Sequence, residues 1–185
     1  MSVPSVDANY RFIAAYQEVN ARIAQRQQAL ALYVTLTVSL LAALVALGSS
    51  AKAASAPVEW LLLGFPVASL ALALLNYTSE RAISNLRTFL ASLEQLNDAH
   101  LRLPSYNTDP RWSSGANKAR RFRDLATLLL ALSGNVIGLG AAWRIFPQRL
   151  DEHSHFLLAG ASLAALSIAV ILITPRWSYA PATPA

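Results

Sequence analysis

The chain has 185 residues, of which 55% are hydrophobic and only 14% are charged, and its mean hydropathy is positive. Water-soluble domains of this length are seldom so apolar. Cysteine is absent, which excludes a disulfide framework, a thiol nucleophile and a thiolate metal site. The basic residues all lie outside the apolar segments, so the formal net charge of +5 is mostly a topology signal and nucleic-acid binding is not needed to explain it.

Four segments without a charged side chain dominate the chain. They cover residues 29–47, 60–75, 125–143 and 156–173. Each is long enough to cross a bilayer as an α-helix. Lipid offers no partner to a backbone N–H or C=O, so segments of this kind must be helical. The sequence therefore predicts an all-α polytopic protein of the lipid bilayer, with four transmembrane helices and two cytoplasmic helical extensions.

The first extension is an amphipathic helix within residues 1–28. Asp7 is a suitable N-cap for it. Apolar residues follow at intervals of four, three and four positions: Phe12, Tyr16, Val19 and Ile23. This spacing places them on one helical face. An apolar stripe in water must be covered, so we expect this face to contact another helix.

The first two spans form a predicted transmembrane hairpin over residues 29–76. Its first span carries the hydroxyls of Thr35 and Thr37, which either line a polar path or bond the backbone of their own helix. The four predicted spans contain no Asp, Glu, His, Lys or Arg. Proton- and ion-coupled transporters usually keep such groups there. The sequence therefore argues against secondary active transport.

Residues 77–123 are predicted to form a second cytoplasmic helix and a basic loop. The helical period continues in Ile83, Leu86, Leu90 and Leu93. Charged residues such as Glu80 and Arg87 are assigned to the opposite, water-facing side. Both extensions leave the same side of the membrane, so their stripes are expected to pack on each other or on another subunit. A segment rich in Pro, Asn, Asp and Gly predicts a loop over residues 101–117.

Four cations lie just before the third span. They are Lys118, Arg120, Arg121 and Arg123. One interpretation is an anchor among anionic lipid headgroups, each cation contributing about 1 kcal/mol. The other is a site for a phosphorylated ligand or an acidic protein partner, with arginine supplying bidentate contacts.

The second transmembrane hairpin covers residues 124–175 and contains the most distinctive motif within a span. This motif comprises Ser133, Gly134, Asn135 and Gly138, with the two glycines one turn apart in a GxxxG arrangement. One interpretation is close helix packing, with Asn135 hydrogen-bonded to another helix. The other places Asn135 and Ser133 on the lumen of an oligomer, where uncharged polar groups give water and ions a path.

The sequence contains no catalytic motif. His153 and His155 lie beside two carboxylates, but on a helix their side chains would diverge by about 200°, so no metal site is expected. The segments outside the predicted spans are too short for an independent enzyme core. We therefore expect neither enzymatic activity nor a cofactor.

Basic residues are concentrated before the first span and between the second and third, whereas the first short connection has only Lys52. The positive-inside rule then places both termini and the central connection in the cytoplasm, with residues 176–185 as a cytoplasmic tail. A composition rich in Ala, Leu and Arg favours a bacterial source. The expected location is the inner (plasma) membrane.

A cytoplasmic helix, a two-span hairpin and a second cytoplasmic helix follow one another over residues 10–101. This layout resembles that of the SLATT-type membrane effectors found beside bacterial nucleotide-signalling and anti-phage systems. The resemblance implies a homo-oligomeric pore or membrane-disrupting effector with a role in antiviral defence, gated through its cytoplasmic helices. The alternative function, from a different class, is a non-conducting anchor or scaffold subunit that docks a partner protein.

Overall fold

The computed structural model describes residues 7–50, 56–102 and 105–181, with the backbone alone for residues 115–117 and 119. Its α-helices are α1 (Ala8–Gly48), α2 (Val58–Glu94), α3 (Ala99–Arg102), α4 (Pro110–Ile145), α5 (Pro147–Glu152) and α6 (Ser154–Ile173). The described segments contain no β-strand. Four of the described helices are long and apolar enough to cross a membrane. The predicted all-α class is confirmed.

The two longest helices extend well beyond the thickness of a bilayer. α1 has 41 residues and is therefore about 60 Å long, twice the roughly 30 Å of a hydrocarbon core. The Asp7 carboxylate caps its N-terminus by accepting from the Asn9 N–H at 3.1 Å. α2 likewise runs without a break to Glu94. We call residues 8–28 of α1 and 77–94 of α2 the hairpin extension.

The predicted loop over residues 101–117 is wrong in its second half, because α4 already begins at Pro110. Asp109 caps this helix by accepting from the Arg111 N–H at 2.9 Å, and Pro110 occupies the first turn. Proline suits that position because its missing N–H would have no partner there. The Asp and Pro that indicated a loop are in fact a helix start signal.

α2 is the central helix, since α1, α4 and α6 all pack against it. α1 and α6 also contact α4. An apolar cluster closes one end of the bundle around Leu44, Leu62, Ala142, Phe146 and Leu150. We call this the connection end, because the α1–α2 connection and α5 lie there. At the opposite end lie Arg26, Glu80 and Ser178, so we call it the charged end.

Candidate functional site

A buried ionic network lies where α1, α2 and α4 meet at the charged end. Arg26 of α1 donates from Nε to Asn76 Oδ1 (2.5 Å) and from Nη1 to Glu80 Oε2 (2.5 Å), both on α2. The Arg26 and Glu80 side chains are only 6% and 4% exposed. Removing two charges from water costs several kcal/mol per ion, so such a pair needs good geometry and further hydrogen bonds. Asn76 and α4 provide them.

α4 completes the network from the other side. Arg120 donates to Glu80 Oε1 at 3.0 Å, and its Nε lies 3.5 Å from Asp124 Oδ2. Arg26 also reaches Asp124 at 3.4 Å, and Arg123 Nη2 lies 3.8 Å from the same carboxylate. Glu80 therefore bridges guanidinium groups from two different helices. The network ties three helices together at the point where the bundle continues into the hairpin extension.

The assignment of Glu80 to a water-facing side is wrong, since the residue is only 3% exposed. A signal for this was present in the sequence. Glu80 follows Asn76 by four positions and precedes Ile83 by three, so it lies on the apolar face of α2. In the same way Arg26 follows Ile23 by three positions on α1. The apolar stripe of α2 thus continues to Glu80, and that of α1 continues to Arg26.

The basic cluster before the third predicted span is divided between two environments. Arg120 belongs to the buried network and its side chain is 15% exposed, whereas Arg123 is 38% exposed beside Asp124. Lys118 and Arg121 are exposed. Lys118 and Arg121 therefore remain open to a lipid headgroup or a phosphorylated ligand, while Arg120 is already engaged by carboxylates of its own chain.

A relay of hydrogen bonds crosses the apolar part of the bundle. Asn135 of α4 donates from Nδ2 to Ser69 Oγ of α2 (2.8 Å) and to the Ala131 carbonyl (2.8 Å). Ser69 Oγ lies 3.1 Å from Tyr33 Oη of α1, which donates to the Leu130 carbonyl at 3.2 Å. When Asn135 donates to the Ser69 hydroxyl, that hydroxyl donates to Tyr33, and Tyr33 donates to the Leu130 carbonyl, so each donor has an acceptor. The amide thus joins helices inside one copy, as the packing interpretation of Asn135 requires.

One atom of this relay has no hydrogen-bond partner. Asn135 is 4% exposed, and its Oδ1 finds no hydrogen-bond donor among the described residues. The same side chain lines a groove of about 490 Å³ between α4 and α6, whose remaining lining is apolar. This oxygen is itself shielded from solvent, so the relay leaves one buried acceptor without a donor, which is energetically costly.

The two glycines of the GxxxG motif permit close helix packing. A Cβ at Gly134 would overlap the Tyr33 hydroxyl and lie 3.4 Å from Thr37 Cγ2, both on α1. A Cβ at Gly138 would overlap the ring of Phe65 on α2. Gly134 therefore makes room for α1 and Gly138 for α2, which is the use of small residues expected in packed apolar helices.

The remaining hydroxyls of the predicted pore or packing set do not share one environment. Thr35 is exposed and donates to the Ala31 carbonyl, and Ser133 is exposed and donates to the Leu130 carbonyl. Thr37 is half-buried beside Gly134, and its Oγ1 has no partner among the described residues. Thr35 and Ser133 therefore face outward, whereas Thr37 faces α4.

The stripes of the hairpin extension lie against each other. One apolar cluster contains Phe12, Ala15, Val19, Ile23, Ile83, Leu86 and Leu90. Tyr16 lies outside it and is 54% exposed, while Ala15 takes its place. Leu93 is half-buried and is not part of this cluster. Tyr10, Ile13 and Tyr16 remain as an exposed apolar side of α1.

A C-terminal strap, which we define as residues 174–180, crosses the charged end. The Arg81 guanidinium lies 4.4 Å from the ring centre of Trp177, and that of Arg87 lies 5.0 Å from the ring of Tyr179. Tyr179 donates to the Asn107 carbonyl at 2.6 Å, and Arg120 bonds Ser178. Burial raises the pKa of the Tyr179 phenol, so it remains a donor at neutral pH. The strap thereby joins α2, the loop before α4, and the ionic network.

The connection end has a smaller polar cluster. Glu59 is 6% exposed, and its Oε1 lies 2.9 Å from Arg149 Nη2. Arg149 also donates to the Ala56 carbonyl at 2.8 Å, so it links α5 to the start of α2. His153 Nδ1 lies 4.0 Å from Glu59 Oε1. Within the described segments no group of three His, Cys, Asp or Glu side chains is arranged to hold a metal ion.

Comparisons with protein-family models, with curated proteins and with solved structures find no match for this chain.

Proposed function

We propose that this protein assembles in a membrane into a homo-oligomer that permeabilises it, and that the hairpin extension controls this assembly. The observation that carries the proposal is the exposure of α1. Only 11% of the most apolar part of this helix is buried within one copy, compared with 50% for α2. A helix at the edge of a bundle either faces lipid or packs against another copy, and the residues on its surface distinguish the two.

The surface residues of α1 favour packing against another copy. One line of exposed positions follows at intervals of four, four, three and four residues, roughly opposite the buried face of Tyr33 and Leu44 and beside the exposed Val38. They are Ala31, Thr35, Ser39, Ala42 and Ala46, and all are exposed. Small and hydroxyl side chains allow helix backbones to approach closely in lipid and can hydrogen-bond across an interface. We call this set the α1 stripe.

A second outward surface supports a permeation path. Ser133 and Gly140 lie two turns apart on α4, and both are exposed. A Cβ added at Gly140 would meet no atom within 4 Å. In a ring of copies, the Ser133 hydroxyl would give water and ions an uncharged polar contact and Gly140 would add no side chain to this face, whereas Ile137 between them is apolar and exposed. The resemblance of residues 10–101 to SLATT-type effectors supports the same function, in bacterial defence.

The test is dye release and single-channel current from liposomes that contain the purified protein, with the subunit number measured by mass photometry. We expect flux from a defined oligomer, and we expect Ser133→Leu to reduce it because a large apolar side chain would narrow and dry the path. Ile137→Leu, an apolar exchange one turn away, is the matched control and should leave the flux unchanged. Tight vesicles around a well-formed oligomer would refute permeabilisation.

The alternative function is a non-conducting anchor for a partner protein, and one observation favours it. Tyr10, Ile13 and Tyr16 form an exposed apolar side of the hairpin extension, at 69%, 48% and 54% exposure. This part of α1 lies beyond the apolar bundle, where a protein partner can cover it. If the protein is an anchor, vesicles that contain it should remain tight at every protein density. The native chain should bind a protein partner that the Tyr16→Glu variant does not bind.

A further inference from the structure

We infer that a cavity between α1, α2 and α4 at the charged end binds the phosphate group of an anionic lipid. The inference rests on the part of the proposed function that places the helices in a membrane, and it does not depend on permeabilisation. The cavity has a volume of about 40 Å³. This is room for about three water molecules, so a phosphate group can enter while the acyl chains of its lipid stay outside.

The cavity is a gap in the contact between α1 and α4. On one side of the gap Arg26 reaches Asp124 at 3.4 Å, and on the other side Tyr33 donates to the Leu130 carbonyl at 3.2 Å. The lining contributed by α1 and α4 between these two contacts includes Gln27, Ala29, Leu30 and Thr127. From behind, α2 closes the gap with two buried side chains, Leu72 and Asn76.

The ionic network beside the cavity has one more positive charge than its carboxylates balance. The guanidinium groups of Arg26, Arg120 and Arg123 share the two carboxylates of Glu80 and Asp124. The charges of described residues that act on Arg123 are those of the same four partners. An unbalanced charge in a partly buried site is costly, so this site favours an anion from outside the chain.

Arg123 is the cation that the anion would meet. Its side chain is 38% exposed, whereas those of Arg26 and Arg120 are 6% and 15% exposed. Arg123 Nη2 lies 3.8 Å from Asp124 Oδ1, which is longer than a hydrogen bond, while Arg26 and Arg120 both bond Glu80. Arg123 can therefore donate to an external acceptor, and a guanidinium group can offer two N–H groups to one phosphate.

The depth of the cavity indicates a lipid as the source of the phosphate. Its lining extends across the predicted ends of three apolar segments, at residues 29, 75 and 125. In a bilayer this boundary is the level of the headgroups, and basic pockets between helices on the cytoplasmic side suit anionic ones. One turn deeper than Leu30 and Thr127, on the same faces, Val34 and Leu130 are 40% and 37% exposed. They offer apolar surface to acyl chains directly below the phosphate, which a soluble phosphorylated ligand would not use.

Native mass spectrometry of the full-length protein in a neutral detergent tests the inference, with phosphatidylglycerol as the probe. We expect one retained lipid per subunit, and we expect Arg123→Gln to weaken its binding about tenfold, through the loss of one charge-assisted contact. Arg121→Gln is the matched control, because Arg121 carries the same charge and is exposed about 200° away on the same helix. It should retain the lipid. Equal loss in both variants, or loss in neither, would overturn the inference.

Two competitors distinguish the possible sources of the phosphate. Phosphatidylcholine has the same phosphate and acyl chains but balances the charge with choline, and inorganic phosphate has the charge without acyl chains. We expect neither to displace phosphatidylglycerol at an equal concentration. Displacement by inorganic phosphate would assign the cavity to a soluble anion, and displacement by phosphatidylcholine would show that the excess charge does not select the ligand. Either result would overturn the inference.

A variant at the opening of the cavity keeps every charge of the network. Gln27 lines the cavity and is exposed, whereas its neighbour Gln28 is exposed and is not part of the lining. We expect Gln27→Trp to cover the opening and release the lipid with unchanged helix content in circular dichroism, while Gln28→Trp keeps the lipid. If Arg123→Gln loses its helix content, this pair decides, and retention of the lipid in Gln27→Trp would overturn the inference. Liposome flux separates the two proposals: lipid binding without flux refutes only permeabilisation, and flux without lipid binding refutes only this site.

Discussion

Glu80 is the residue on which the charged end depends most. Its two oxygens bind Arg26 and Arg120 from different helices, and its side chain is 4% exposed. Removal of one partner from a buried ion pair leaves uncompensated charges, at a cost of about 3–5 kcal/mol. We predict a loss of this size in the unfolding free energy of Glu80→Gln, measured in detergent.

Glu18→Gln provides the matched control for that experiment. Glu18 pairs with Arg22 at 2.6 Å, but the two side chains are 45% and 41% exposed. Exposed pairs contribute less than about 1 kcal/mol, because water and salt screen them. If Glu80→Gln were as mild as Glu18→Gln, the buried network would not hold the three helices together.

Gly138 and Gly140 are two positions apart on α4 and differ in what surrounds them. A Cβ at Gly138 would overlap the Phe65 ring, which is 1% exposed and has little room to move, whereas Gly140 faces open space. We predict that Gly138→Ala destabilises the bundle by about 1–3 kcal/mol, the usual cost of overpacking. Gly140→Ala should be neutral or stabilising by up to about 1 kcal/mol, through helix propensity. Thermal unfolding of both variants in the same detergent compares them directly.

The hairpin extension holds together through one side of each helix. Leu90 is 2% exposed within its apolar cluster, whereas Tyr16 is 54% exposed outside it. We predict that Leu90→Ala costs about 2–5 kcal/mol, the range for a buried leucine. Tyr16→Ala should change stability by less than about 0.5 kcal/mol, as is usual on a surface. Equal effects in an unfolding titration would contradict this pairing of α1 with α2.

The C-terminal strap shields arginines of α2. Trp177 lies over Arg81, and Tyr179 lies over Arg87 and bonds the Asn107 carbonyl. We predict that a chain ending at Pro175 is cleaved faster by trypsin after Arg81 and Arg87, because each guanidinium group loses one of its two aromatic neighbours. A chain ending at Ala180 keeps these contacts and should match the full-length protein. Equal cleavage of the two truncated chains would show that the strap does not cover α2.

If the four long, apolar helices cross a membrane, the two ends of the bundle lie on opposite sides of it. Asn9 and Gln148 are both exposed and lie at the charged end and the connection end, respectively. We predict that Gln148→Cys reacts with an impermeant maleimide on intact cells from which the outer membrane has been stripped. Asn9→Cys should react only after the inner membrane is opened. The reverse pattern would contradict the orientation expected from the arginine distribution.

Several parts of the candidate site were recognisable from spacing, and others were not. Asn135, Gly134 and Gly138 stood out as a polar residue and a GxxxG pair within an apolar run. Their partners, Ser69, Tyr33 and Phe65, are on helices distant in sequence and had no signal of their own. The four cations before the third span looked alike, but Arg120 alone of them bonds Glu80. A pattern along one helix shows which residues share a face, but not what packs against that face.

By itself the sequence determined the all-α class, the four apolar helices and the stripes of the hairpin extension, because backbone hydrogen bonding and helical periodicity are local properties. Only the tertiary structure decided that Glu80 is buried between two arginines, that Asn135 bonds Ser69 with one oxygen left unpartnered, and that the α1 stripe faces outward. Each of these depends on which helices are neighbours and at what depth and rotation they meet. Such relations arise from packing between segments that are distant in sequence, as between Arg26 and Asp124, which are 98 positions apart.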